Sequence, residues 1–333
     1  MAFGNRIGIE IESNLPVASL FSADHGSIIL EVSEKSDPDT VFKHPAFRII
    51  GKTHEEETIV YQGIRLSIPE LNKTWEAPLE RVFPTQTNAN ESIVSAELFN
   101  ADSIQSASQK IAKPRIIIPV FPGSNCEYDT MAAFNRAGGI AETIVFRNRH
   151  TEDINESLKI LKKKIDNAQI IAIPGGFSAG DEPDGSAKFI ATVFRNPQVK
   201  DSVMNLMQNR DGLMIGFCNG FQALVKLGLV PYGEIRVPEP DAPTLAMNEI
   251  GRHISMIART KVVSNRSPWF SQVRPGDVFS IPLSHGEGRF IADQKLINEL
   301  QANGQVATQY VDLDDNPTMA IKYNPNGSYN AIE

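Results

Sequence analysis

Two cysteines in 333 residues, Cys126 and Cys218, are too few for a disulfide framework and leave no sulfur set for a structural zinc ion. A chain so poor in cysteine is expected in a reducing cytoplasm. The six histidines are scattered, without a His-x-x-His or Glu-x-x-His pairing, so no protein-ligated metal site is expected. No run approaches the roughly 18 apolar residues of a membrane span, and residues 1–5 lack the basic and apolar regions of a signal peptide. Positive charge is also short: a formal net charge of −8 works against capture of nucleic acid or an anionic membrane, so neither is an expected partner. The one compact basic run, Lys162-Lys163-Lys164, falls inside a helical pattern over 155–165 and reads as a solvated helix face. Neither Gly-x-Gly-x-x-Gly nor Gly-x4-Gly-Lys-Ser/Thr is present, which excludes a nucleotide loop after the strand at 115–121.

With 41% hydrophobic and 22% charged residues, the chain has the composition and length for two folded domains. Apolar runs bounded by turn residues recur at 27–32, 115–121, 169–174 and 213–217, the last three separated by helical patterns. Such alternation predicts a parallel, doubly wound α/β sheet. A Gly- or Asn-bearing loop follows each of those three strands, and open sheets of this kind bind ligands beyond the carboxyl ends of their strands, so the loops should converge on one site. Upstream the texture differs. Strand-like runs at 7–11, 27–32, 47–50 and 58–61 mark a first domain over 1–85. A polar connector and a predicted helix over 91–110 form a linker at 86–112, and the second domain occupies 113–333. After Leu283 the glycine- and aspartate-rich pattern predicts loops and hairpins on the same sheet.

Residues 212–222 carry the strongest signal, because an apolar strand ends in Gly216-Phe217-Cys218-Asn219-Gly220 and then turns into a helical pattern stopped by Gly228. A sharp strand-to-helix turn of this kind exposes its central residue as a nucleophile. Cys218 then sits at a helix N-terminus, whose partial positive charge favours the thiolate. A small buried hydrophobe at a strand end is the plainer alternative. Acyl attack also needs oxyanion donors, which the backbone at Asn219 and the Gly175-Gly176-Phe177 loop would supply. It needs a base too, and His285-Gly286-Glu287 offers a histidine beside a carboxylate. The flanking glycines argue for a tight loop in which His285 is a structural hydrogen-bonding residue. Cys126 reads as a packing residue.

Four segments in this order, Pro-Val-Phe-Pro-Gly-Ser-Asn-Cys-Glu (119–127), Pro-Gly-Gly-Phe-Ser-Ala-Gly-Asp (174–181), Gly-Phe-Cys-Asn-Gly-Phe-Gln (216–222) and Ser-His-Gly-Glu-Gly-Arg-Phe (284–290), closely resemble the glutaminase domain of the phosphoribosylformylglycinamidine synthase family. The resemblance spans 113–333. The front, with Met-Ala-Phe-Gly-Asn-Arg-Ile-Gly-Ile and Leu-Phe-Ser-Ala-Asp-His-Gly, looks more loosely like the tail of that enzyme's second synthetase-like half. The resemblance implies a class I glutamine amidotransferase on a flavodoxin-like, mostly parallel sheet, preceded by a partial α+β synthetase-like domain. It implies that Cys218 attacks glutamine, that Gly175, Gly176 and Asn219 receive the oxyanion, that Phe177 and Gln222 contact glutamine, and that His285 and Glu287 are structural near the site. The ammonia released would serve ATP-dependent conversion of formylglycinamide ribonucleotide to its amidine in de novo purine biosynthesis. No cofactor is implied for the glutaminase domain. ATP and magnesium belong to the synthetase portion, the implied partner, whose motifs would lie mostly upstream of Met1. In that family the catalytic histidine and glutamate follow a segment that begins like Asn330-Ala331-Ile332-Glu333. The 333 residues therefore read as a fragment with its nucleophile, without its base, and with little activity alone. A stand-alone flavodoxin-like cysteine hydrolase and a non-catalytic glutamine-sensing module are the competing classes.

Overall fold

The structure, a computed structural model, describes residues 2–23, 25–37, 47–82, 84–85, 97–103, 106–108, 110–177 and 187–333. The chain divides into Met1–Thr85 and Gln86–Glu333. In the first unit, β1 (Gly8–Ile11), β2 (Gly51–His54), β3 (Thr58–Tyr61) and β4 (Ile64–Ser67) form a mixed sheet in the order β2-β1-β3-β4. Gln62 and Gly63 turn β3 into β4 with φ of 47° and 79°, the two left-handed residues of a tight hairpin. Ser67 caps the helix Ile68–Glu76 by accepting from the Glu70 amide at 3.4 Å. Two expectations fail here. Residues 27–32 form no strand: Ile28 is 81% exposed, and the neighbouring segment reaches β2 only through side chains, as in Thr53 Oγ1 donating to Glu31 at 2.7 Å. The strand expected at 47–50 lies at 51–54 instead, where its backbone pairs with β1.

In the second unit, β5 (Arg115–Val120), β6 (Ile140–Val145), β7 (Ile170–Ile173) and β8 (Leu213–Gly216) are all parallel, in the order β6-β5-β7-β8. A strand as uniformly apolar as Ile-Ile-Ile has no face left for water, so both faces must be covered. Ile117, Ile171 and Ile173 pack against Leu161, Ile165, Val203, Leu206, Ala223 and Leu227 from three helices, Thr151–Asn167, Pro197–Asn209 and Asn219–Leu227. Ile116, Ile118 and Ala172 pack against Met131 and Phe134 of the helix Glu127–Arg136 on the other side. Burying each isoleucine contributes about 1.5–3 kcal/mol, enough for this double layer to hold the loops at its edge in place.

The hairpins expected after Leu283 on that same sheet do not join it, nor do the strands just before them. After β9 (Thr244–Ala246) come β10 (Ile254–Val262), β11 (Val278–His285), β12 (Arg289–Ile291) and β13 (Thr308–Tyr310). They form an antiparallel sheet ordered β11-β10-β13 and a separate β12-β9 pair. The reason lies in β10, whose exposed and covered residues alternate, the pattern of a strand with one wet face. The helix expected over 91–110 is also absent where described. Residues 97–103 run as non-helical chain, with the Phe99 amide donating to Val263 O at 2.8 Å and the Ala101 amide to Asn265 Oδ1 at 2.9 Å. Those N–H groups are spent on neighbouring chain instead of a helix; residues 91–96, 104, 105 and 109 of that expectation lie outside the described residues.

Candidate functional site

Because β6 and β7 flank β5 on opposite sides, the chain reverses winding direction at β5, and a crevice opens beyond the carboxyl ends of β5 and β7. Two loops meet there. Asn125 N donates to Gly175 O at 3.1 Å and Phe177 N to Gly123 O at 2.7 Å, which zips 123–125 to 175–177. Gly176 has φ 131°, and a Cβ on it would press on the Gly123 carbonyl and lie 2.8 Å from Asn125 N. Only glycine fits that crossing. Phe177, half exposed, has thus committed its own amide to the zipper.

The third loop leaves β8. Phe217 N donates to Ile173 O at 3.0 Å, and Gly220 N to Phe217 O at 2.8 Å, closing the turn. Cys218 at its apex has φ 50° and ψ −109°, a conformation that costs a non-glycine residue about 1–3 kcal/mol. Gly216 and Gly220 make the turn possible: a Cβ on the first would strike the Gly220 carbonyl, and on the second the Ile173 carbonyl. The helix Asn219–Leu227 starts immediately after, with Gln222 N bonded to Cys218 O at 3.0 Å, and ends at Gly228 with φ 82°. Cys218 is exposed, at the positive end of that helix. A Cβ on Gly175 would lie 3.3 Å from Cys218 Cβ, so the glycine loop abuts the elbow.

Asn219 and Gln222 are both buried and bonded to each other, Asn219 Nδ2 donating to Gln222 Oε1 at 2.9 Å. Gln222 Nε2 then donates to the Glu287 carbonyl at 2.8 Å. The side chain expected to touch a substrate therefore spends one donor and one acceptor inside the protein, tying the elbow to the hairpin at 285–288. That hairpin is organised by Asn248, a residue the sequence reading missed. Asn248 Nδ2 donates to His285 O at 2.9 Å and to Arg252 O at 3.0 Å. Its Oδ1 accepts from Gly288 N at 3.2 Å and lies 3.2 Å from His285 Nδ1, and its amide donates to Gly286 O at 2.8 Å. No motif announces Asn248, which lies 37 residues before its histidine. His285 closes β11, and burial, reinforced by His253 nearby, holds its imidazole below the usual range and so neutral.

Among the described residues no group of three or more His, Cys, Asp or Glu is placed to hold a metal ion, and no helix is long and apolar enough to cross a membrane.

A strained, exposed cysteine between a parallel strand and a helix, abutted by a glycine loop, defines an α/β domain of the elbow-nucleophile class. Residues 113–333 match the CobB/CobQ-like glutamine amidotransferase domain, and the chain belongs to that family. It is similar to phosphoribosylformylglycinamidine synthase subunit PurQ of Methanococcus maripaludis (strain S2), 34% identical over 230 residues that cover 66% of this chain and 75% of that one. Subunits of the same name from Gloeobacter violaceus and Salinibacter ruber are 32% and 31% identical over 218 residues, covering 66% of this chain and 80% and 79% of theirs. A chain in the structure of PurLQS from Thermotoga maritima aligns with a TM-score of 0.44 and 22% identity, over 63% of this chain and 84% of that one.

Proposed function

We propose that residues 113–333 are the glutaminase portion of a phosphoribosylformylglycinamidine synthase, and that Cys218 cleaves glutamine to supply ammonia for de novo purine biosynthesis. The observation that carries this reading is the elbow itself, with Cys218 exposed at φ 50° and Gly175 against it. The Cys218 thiolate attacks the carboxamide carbon, and the Gly175, Gly176 and Asn219 amides receive the charge on the carbonyl oxygen. Collapse expels the protonated nitrogen as ammonia and leaves a glutamyl thioester, which water cleaves to glutamate and the free thiol. Phe177 walls the glutamine pocket, and Gln222 acts on it by holding Glu287 and the elbow together. His285, tied to Asn248, stays outside the proton transfer. The ammonia passes to a synthetase partner, which carries the ATP- and magnesium-dependent chemistry; Met1–Thr85 is the end of a synthetase-like domain.

An electrophilic glutamine analogue, a chloroketone, tests the reading without requiring turnover. Mass spectrometry is expected to place the label on Cys218 and not Cys126, with protection by glutamine and complete loss of labelling in Cys218→Ala. Equal labelling of both cysteines, unaffected by glutamine, would sink it in favour of a general cysteine hydrolase.

A further inference from the structure

Cys126 ends the loop after β5 and precedes the helix Glu127–Arg136; Cys218 precedes the helix Asn219–Leu227. The two meet over Gly175. A Cβ placed on that glycine would lie 3.3 Å from Cys218 Cβ and 3.5 Å from Cys126 Sγ, so both side chains border the space that a side chain at 175 would fill. Both cysteines are exposed, and neither is in a disulfide. The bond from Asn125 N to Gly175 O, at 3.1 Å, holds the residue before Cys126 against the same glycine. An accessible thiolate beside a second thiol is the arrangement in which an oxidised sulfur is captured as a disulfide before it oxidises further.

We infer that Cys126 and Cys218 are a peroxide-responsive pair that closes a reversible intramolecular disulfide. The two helix starts differ in a way that sets the order of events. The first turn after Cys126 carries Glu127 and Asp129, whereas the first turn after Cys218 carries no acid. The field at Cys218 is the more favourable to an anionic sulfur, so Cys218 reacts first. Its thiolate attacks one oxygen of hydrogen peroxide; the S–O bond forms, the O–O bond breaks, and the departing hydroxide takes up a proton as water. Cys126 sulfur then attacks the Cys218 sulfenic acid; the S–S bond forms, the S–O bond breaks, and hydroxide leaves with the Cys126 proton as a second water. The two thiols lose two electrons and the peroxide gains them. A dithiol reverses the closure. The disulfide occupies the sulfur that glutamine cleavage needs, a consequence that rests on the proposed function, although formation of the bond does not.

The experiment uses the full 333-residue chain, reduced, exposed to hydrogen peroxide, alkylated, and digested without reductant. Mass spectrometry is expected to find one peptide pair joining Cys126 to Cys218 within a single molecule, with alkylation of Cys218 lost and then restored by dithiothreitol. In Cys126→Ser the pair is absent, and Cys218 runs on to a sulfinic acid that dithiothreitol does not recover. Wild-type chain that yields only sulfinic Cys218, or only disulfides between molecules, overturns the inference whatever the variant does. No glutamine enters this readout, so its failure is separate from failure of glutamine-protected labelling at Cys218.

Discussion

In the turn at 216–220 the cysteine stands exposed on a backbone twisted to φ 50°, whereas in the hairpin at 285–288 the histidine is half-buried and bound to Asn248. Both segments are bounded by glycines, and both carry a residue type common in catalysis. What separates them is where the hydrogen bonds go. At the elbow, backbone bonds from Phe217, Gly220 and Gln222 fix the chain and leave the sulfur at the surface. In the hairpin, the imidazole is itself one of the bonded groups, and its neutral form is what the surroundings favour.

The contrast can be broken most severely at the sulfur. Cys218→Ala is expected to abolish glutamine-protected labelling by the chloroketone altogether, as read by mass spectrometry, since in this reading no other residue forms the bond to the carboxamide carbon. Gly220→Ala tests the backbone beneath it. A methyl group there strikes the Ile173 carbonyl, and urea unfolding is expected to show a loss of about 1–3 kcal/mol. A normal urea midpoint would mean the turn relaxes where the geometry says it cannot. On the hairpin side, Asn248→Ala removes the group that accepts from Gly288 and donates to His285 and Arg252, and is expected to cost about 1–3 kcal/mol in the same assay.

The smallest effect is expected from His285→Gln, which should leave glutamine-protected labelling of Cys218 intact. Its signature is in pH. Burial holds the folded-state imidazole below its ordinary 6.5, so the unfolded chain takes up the proton first. The contribution is fully present above about 6.5 and is lost as pH falls from there through the lower folded value. Wild-type stability, followed by thermal melting between neutral and mildly acidic pH, should decline more steeply than that of His285→Gln. Parallel curves would remove the buried-histidine account, and loss of labelling in the variant would return His285 to the role of base.

The elbow could be read from the chain because its determinants are neighbours: a strand of apolar residues, two glycines where carbonyls crowd, and a helix that begins at once. The parallel sheet was equally legible from the Ile-rich runs at 115–121 and 169–174. The run at 27–32 shows the limit of that signal, since Ile28, Ile29 and Leu30 have the composition of a strand and no partner backbone in a ladder. The helix expected at 91–110 failed for the converse reason: in residues 97–103, the backbone finds partners at 263 and 265 that no local pattern announces.

The order of apolar runs and turn residues was thus enough to determine a parallel α/β domain with an exposed cysteine at residue 218 on a strand-to-helix turn, because strand periodicity, glycine crowding and helix capping act over a few residues. Tertiary structure alone decided that His285 is bound by Asn248, that Gln222 braces Glu287, and that Cys126 reaches Gly175 beside Cys218. These contacts join residues 37 to 65 positions apart, and such partners are chosen by how packed strands and helices bring distant loops together, which no local spacing encodes.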